Sequence, residues 1–115
     1  MKAIIIIISL AAFLLLATLA WAHPAKSVNL TYDKATKVMT VSVAHDVKDN
    51  VKHFIKTIQI TVNQKDVLTH NLTLQDNMKG GMYSYKLNDV KPGDKITVTT
   101  TCNFVGKKSS SIIVK

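Results

Sequence analysis

Val38-Met39-Thr40-Val41-Ser42-Val43-Ala44-His45 is the stretch whose reading decides the fold. Its apolar side chains fall at every second position, Met39, Val41 and Val43, which is the period of a strand with one buried face and not that of an amphipathic helix. The same alternation recurs outward from it. Val28, Leu30 and Tyr32 precede it; Ile58, Ile60 and Val62, then Leu68, Leu72 and Leu74, then Tyr83, Tyr85 and Leu87, then Ile96 and Val98, and finally Ile112 and Val114 follow. The intervals carry turn chemistry at residues 33–36, 63–66, 76–81, 88–94 with Pro92-Gly93, and 103–108.

Seven short strands at this spacing predict an all-β domain over residues 23–115, an antiparallel sandwich of immunoglobulin-like shape. The pattern contains no internal repeat, linker or low-complexity tract. Roughly 90 residues can fold alone but leave little room for a large substrate cleft, which excludes big multidomain enzymes.

Residues 3–22 are a different material. Lys2 supplies a short positive region, the apolar run follows with only Ser9 and Thr18 as polar interruptions, and Ala20-Trp21-Ala22 is a small-x-small cleavage pattern. The expectation is an export signal, residues 1–22, whose removal leaves His23 first. An uncleaved membrane anchor is the alternative, because such a run is also long enough to span a bilayer. Either reading places the domain in the periplasm or outside the cell, with membrane contact only through this segment.

The formal net charge is +8, and all 15 basic residues are lysine and all 7 acidic ones aspartate. The lysines are scattered, and the arginine forks that read DNA bases are missing, so nucleic acid is not an expected partner. A diffuse positive field speeds encounter with a small anion, and it also serves plain solubility.

Export normally accompanies paired cysteines, yet Cys102 stands alone and cannot close an internal disulfide. Strand phase points to its use. His45 continues the Met39, Val41, Val43 face, His53 opens the third strand, and Cys102 continues Ile96, Val98 and Thr100. Three metal-ligand residue types therefore fall at strand ends, where a sandwich keeps its sites. By phase alone they are equally a satisfied histidine, a loop histidine and a core thiol. His70, in phase with Leu68 and Leu72, reads as a core-edge histidine.

At these residues the chain resembles a family. His45, then His53-Phe54-Ile55-Lys56-Thr57-Ile58, then Gly93-Asp94-Lys95-Ile96-Thr97-Val98 and Cys102-Asn103-Phe104-Val105-Gly106 are similar to the iron domain of superoxide reductase, the desulfoferrodoxin type. That family reads H-P-M-x-x-x-H-Y-I-x-x-I, G-D-x-V-x-V and C-N-x-H-G on an immunoglobulin-like sandwich. The resemblance implies a non-haem ferrous iron held by histidines and a cysteine thiolate, with one face open for superoxide, and an electron-donor protein as partner. Carried over by position, Cys102 matches the thiolate, His53 the histidine of the H-Y-I segment, His45 the H-P-M histidine with a longer loop, and His23 the first histidine. Val105 stands where the family has its fourth histidine, and Trp21 and Ala22 stand where it has a glutamate-lysine pair. The expected metal ligands are thus His23, His45, His53 and Cys102. Lys26 is a candidate replacement for the lost lysine.

Two alternatives stay open. An N-terminal His23 offers amine and imidazole together, a chelate that suits copper. The H-F-I segment, the Asn63-Gln64-Lys65-Asp66 turn and the strand from Gly93 to Val98 also resemble the sandwich subunit that partners the sulfur-carrier protein in periplasmic thiosulfate oxidation. That subunit implies a binding module without metal or catalysis.

Overall fold

The computed structural model describes residues 23–115; the expected export signal at residues 1–22 lies outside them. Seven strands follow one another: β1 Ser27–Asp33, β2 Val38–Ala44, β3 Ile55–Val62, β4 Lys65–Asn71, β5 Gly80–Lys86, β6 Lys95–Cys102 and β7 Lys107–Ile113. Three of them make one antiparallel sheet in the order β1-β2-β5, and four make the other in the order β4-β3-β6-β7. Among the described residues there is no helix.

The alternation read from the sequence is the alternation that packs. Met39, Val41 and Val43 of one sheet and Ile58, Ile60, Ile96 and Val98 of the other form the core, with Val28, Leu87 and Val114 closing it. Burying such side chains between two faces contributes on the order of 1.5–3 kcal/mol each and is the main force holding the sheets together. Thr100 is the polar member of the inward β6 face, and it donates to the Lys108 carbonyl oxygen at 3.2 Å.

Local chemistry sets the hairpins. Asp33 Oδ1 accepts from the backbone N–H of Ala35 and Thr36, at 2.8 and 3.3 Å, and so closes the β1–β2 turn. Asn63 and Gln64 take positive φ, 51° and 70°, which is the two-residue turn that suits a right-twisted hairpin. Lys65 and Asp66, expected in that turn, therefore begin β4.

Three further expectations shift, the first at the expected 103–108 turn, whose last two residues, Lys107 and Lys108, already belong to β7. Leu74, placed on the inward phase of the fourth strand, is 47% exposed, while its neighbour Gln75 is 1% exposed. The strand pairing ends at Asn71, and the chain then turns so that Gln75 enters the interior. The fifth strand starts at Gly80 rather than beyond Gly81, paired to Ala44 at the end of β2.

Gly80 has a specific task there. Its φ is +136°, and a Cβ on it would fall on the Val43 carbonyl oxygen. The missing side chain lets the 76–79 loop lie against the end of β2, where His45 N–H donates to the Lys79 carbonyl and Val47 N–H to the Met78 carbonyl, both at 2.8 Å. Gly80→Ala is expected to cost about 2–4 kcal/mol, from backbone strain plus overlap. Gly93→Ala, where φ is also positive but a Cβ meets nothing, is expected to cost about 1–2 kcal/mol. Urea unfolding of the two variants checks the difference, and equal costs would remove the close approach as its cause.

Candidate metal centre

Register brings four strand ends to one edge of the sandwich. Ser27 at the start of β1 pairs with Ala44 at the end of β2, and Ile55 at the start of β3 pairs with Cys102 at the end of β6. His45 follows β2, His53 precedes β3, Cys102 closes β6, and His23 precedes β1. All four residues expected as ligands therefore lie at the same end, contributed by both sheets.

A bulge aims His53. The β3–β6 register slips between Ile55 and Thr57, so Lys56 is an extra residue on β3. Without it, strict alternation from Ile58 would turn Lys56 inward. With it, Ile55 is buried and Lys56 exposed. Asn103 then clamps the approach to the strand: its Oδ1 accepts from Phe54 N–H at 2.9 Å, its Nδ2 donates to the Lys52 carbonyl at 2.9 Å, and its backbone N–H donates to the Phe54 carbonyl at 3.0 Å. His53 Nε2 consequently stands 3.2 Å from Cys102 Sγ. Phe104 stacks on the His53 ring at 4.4 Å between centroids.

The three histidines converge. His23 and His45 have ring centroids 4.9 Å apart, His23 and His53 5.2 Å, and His45 and His53 4.8 Å. One nitrogen from each lies within 4.8 Å of the others, the group that could hold a metal ion among the described residues. Two nitrogens on one first-row ion are at most about 4.2 Å apart, so an ion would draw the rings in by a fraction of an ångström to about an ångström. A nitrogen and a thiolate at right angles on one ion are about 3.1 Å apart, close to the His53–Cys102 spacing.

His45 has its tautomer decided by Gln75. The Gln75 Nε2 donates to two carbonyl oxygens, those of His45 at 2.8 Å and Asn77 at 3.0 Å, which orients the amide. Its Oε1 therefore faces Ile55 N–H at 3.3 Å and His45 Nδ1 at 2.7 Å, and that nitrogen must be the donor. In the neutral ring Nε2 is then left with its lone pair directed into the cluster, against the His23 carbonyl oxygen at 3.2 Å. Two acceptors facing each other repel, and a cation at this point removes the conflict. A histidine whose other nitrogen donates to a fixed oxygen is also the usual arrangement of a metal ligand. His23 repeats it more loosely, with Nδ1 donating to the Pro24 carbonyl at 3.0 Å.

A cavity of about 690 Å³ opens on the cluster, lined by His23, Asp46, Val47, Lys48, Asp49, Lys52, His53 and Phe104. Two lysines and two aspartates balance at its mouth, so attraction for an anion rests on the positive charge of the whole chain. Lys26, expected as the replacement cation, is exposed and does not line this cavity; Lys48 and Lys52 do. Val105, at the fourth-histidine position, is 51% exposed. His70 is where strand phase puts it, at the core edge, bonded to the Tyr85 hydroxyl at 2.8 Å and edge-on to Tyr83 and Tyr85. Burial raises the Tyr85 pKa, so its hydroxyl keeps its proton. Gln75 carried no sequence signal, since a single glutamine before a polar turn looks like any surface residue.

Among solved structures the chain is similar to the superoxide reductase (1Fe-SOR) from Giardia intestinalis, with a TM-score of 0.57, 12% identity, and coverage of 76% of this chain and 95% of that one. At that identity the likeness shows the fold, which is superoxide-reductase-like. No protein-family model and no curated protein matches the chain.

Two outcomes are expected. Partial burial, then the neighbouring His45 and His23, hold the His53 pKa below its usual 6.5. Between the folded and unfolded pKa values the unfolded chain binds more protons, so this contribution is complete above pH 6.5 and is lost as pH falls towards the folded value. The urea midpoint of the metal-free domain should fall between about pH 7.5 and 5.5, and His53→Asn should flatten that fall. Gln75→Leu should cost about 2–4 kcal/mol, because it leaves buried donors and acceptors unpaired. It should also weaken divalent-metal binding by about 10–100-fold. Titration of the refolded variant reads the second effect separately, and unchanged affinity would leave Gln75 with a packing role alone.

Proposed function

We propose that this chain is an exported metal-binding domain of superoxide-reductase-like fold, holding iron through His23, His45, His53 and Cys102. The observation that carries the reading is the convergence of three histidines within 4.8 Å, with Cys102 Sγ 3.2 Å from the His53 ring. Imidazole nitrogens with one thiolate suit iron, copper or zinc, and the resemblance to the ferrous family selects iron. Ferrous iron bound there would supply one electron to superoxide, giving peroxide once protons are added.

The chain's own residues support part of that chemistry. Gln75 holds His45 with Nε2 available, and the Lys56 bulge with Asn103 holds His53 over Cys102. Phe104 and Val47 give the cavity an apolar wall, and Lys48 and Lys52 line it together with Asp46 and Asp49. Val105 offers no nitrogen. The ligand set is therefore one histidine short of the family's, and superoxide reduction by the native chain is weak.

Metal binding and catalysis are tested separately. At about 100 times its dissociation constant, ferrous ion should stabilise the domain by roughly 2.7 kcal/mol, a rise on the order of 10–20 °C in the anaerobic melting midpoint. His53→Ala with Cys102→Ser should abolish the rise. No shift with iron, copper or zinc ions would overturn the reading and leave the metal-free binding module of the sulfur-carrier type. Decay of pulse-generated superoxide over iron-loaded protein should be slow for the native chain and at least tenfold faster with Val105→His. Fast, Cys102-dependent decay by the native chain would make it a competent enzyme as it stands.

A further inference from the structure

We propose that the site is completed by processing: cleavage after Ala22 turns the His23 nitrogen from a peptide amide into a primary amine, which joins the His23 imidazole as an additional ligand of the cluster. This rests on the metal-binding reading above and adds to it a step that couples export to metal loading.

Position carries the first part of the argument. His23 is not a remote terminal residue, since its ring lies 4.9 and 5.2 Å from those of His45 and His53. Its carbonyl oxygen stands 3.2 Å from His45 Nε2, so the main chain of residue 23 borders the cluster as well as the ring. The segment behind it is anchored. Ala25 is 3% exposed, Lys26 N–H donates to the Ala44 carbonyl at 2.7 Å, and Pro24 packs on Gly106 so closely that a Cβ there would stand 2.9 Å from Pro24 Cδ. The Ala20-Trp21-Ala22 cleavage pattern then ends at the residue before this anchored histidine.

Chemistry carries the second part. In a peptide bond the nitrogen lone pair is delocalised into the carbonyl and is not available to a divalent ion at neutral pH. A free α-amine, with an ordinary pKa of about 7.7–8.0, gives up its proton to a metal readily. Its partner in a chelate ring is Nδ1 of the same residue, which would exchange its bond to the Pro24 carbonyl for the metal, and the residues beyond cannot extend the ring, because Pro24 has no N–H for a metal to displace. Where the resembled family has a histidine and this chain has Val105, the amine returns the nitrogen count to the family's. It does so only after the leader is gone.

The described residues contain their own core, so residues 23–115 can be prepared beginning at His23 and compared with a form that retains Ala22. Anaerobic titration with Co(II), which is redox-inert towards the thiol under these conditions, reads affinity and ligand-field bands together. The form beginning at His23 should bind at least tenfold more tightly, with bands displaced from those of the Ala22 form. His45→Ala and His53→Ala should each weaken binding in both forms. Equal affinity and identical bands would overturn the amine as a ligand while leaving the histidine site standing. Co(II) binding that neither histidine substitution weakens, or none in either form, would overturn both. Intact mass of the exported full chain should give His23 as its first residue, and any other terminus would overturn the coupling to export.

Discussion

A single buried carboxamide sets the terms at the open end of this sandwich. Gln75 is 1% exposed and engages four partners, two carbonyl oxygens through its nitrogen and two N–H groups through its oxygen. A buried amide left unpaired costs a few kcal/mol, so the surroundings have to meet it on every side. Those requirements place the backbone of β3, the end of β2 and the loop before β5 around one point. They also leave His45 with one possible neutral tautomer. The ring nitrogen that faces the cluster is thus selected by a residue that never touches it.

The rest of the end is assembled from both sheets by different devices. β2 and β6 deliver His45 and Cys102 by plain strand phase. β3 needs a bulge at Lys56 and the Asn103 clamp before His53 meets the thiol. His23 comes from outside any strand and is held through Pro24 on Gly106. The four expected ligands therefore form a gradient of support. His45 is fully buried and fixed by hydrogen bonds, Cys102 is buried, and His53 and His23 are half-buried beside the cavity. A metal held this way would meet His45 and Cys102 already buried, and would draw His53 and His23 in from beside the cavity.

That gradient also says where the chain departs from the family it resembles. His45, His53 and Cys102 match the pattern that the sequence resembles, while the differences fall in the 46–52 loop, on the 103–106 turn and ahead of residue 23. The 103–106 turn can change without disturbing the core, because Phe104 and Val105 are exposed and lie outside the packing of Met39, Ile58, Ile60, Ile96 and Val98.

The sequence by itself determined the strands and their inward faces, and through strand phase it placed His45 and Cys102 at strand ends, because alternation is a local property and a strand end continues the phase of its strand. It mistook Leu74 for a core residue and passed over Gln75. Periodicity carries no information once a strand ends, and the burial of a polar group depends on partners distant in the chain, here 20 and 30 residues away. Only the tertiary structure decided the tautomer of His45, the aim of His53 across the Lys56 bulge, and the cations at the cavity, Lys48 and Lys52 rather than Lys26. Each of these follows from register between strands and from where a loop comes to rest, and both are fixed by packing the two sheets against each other.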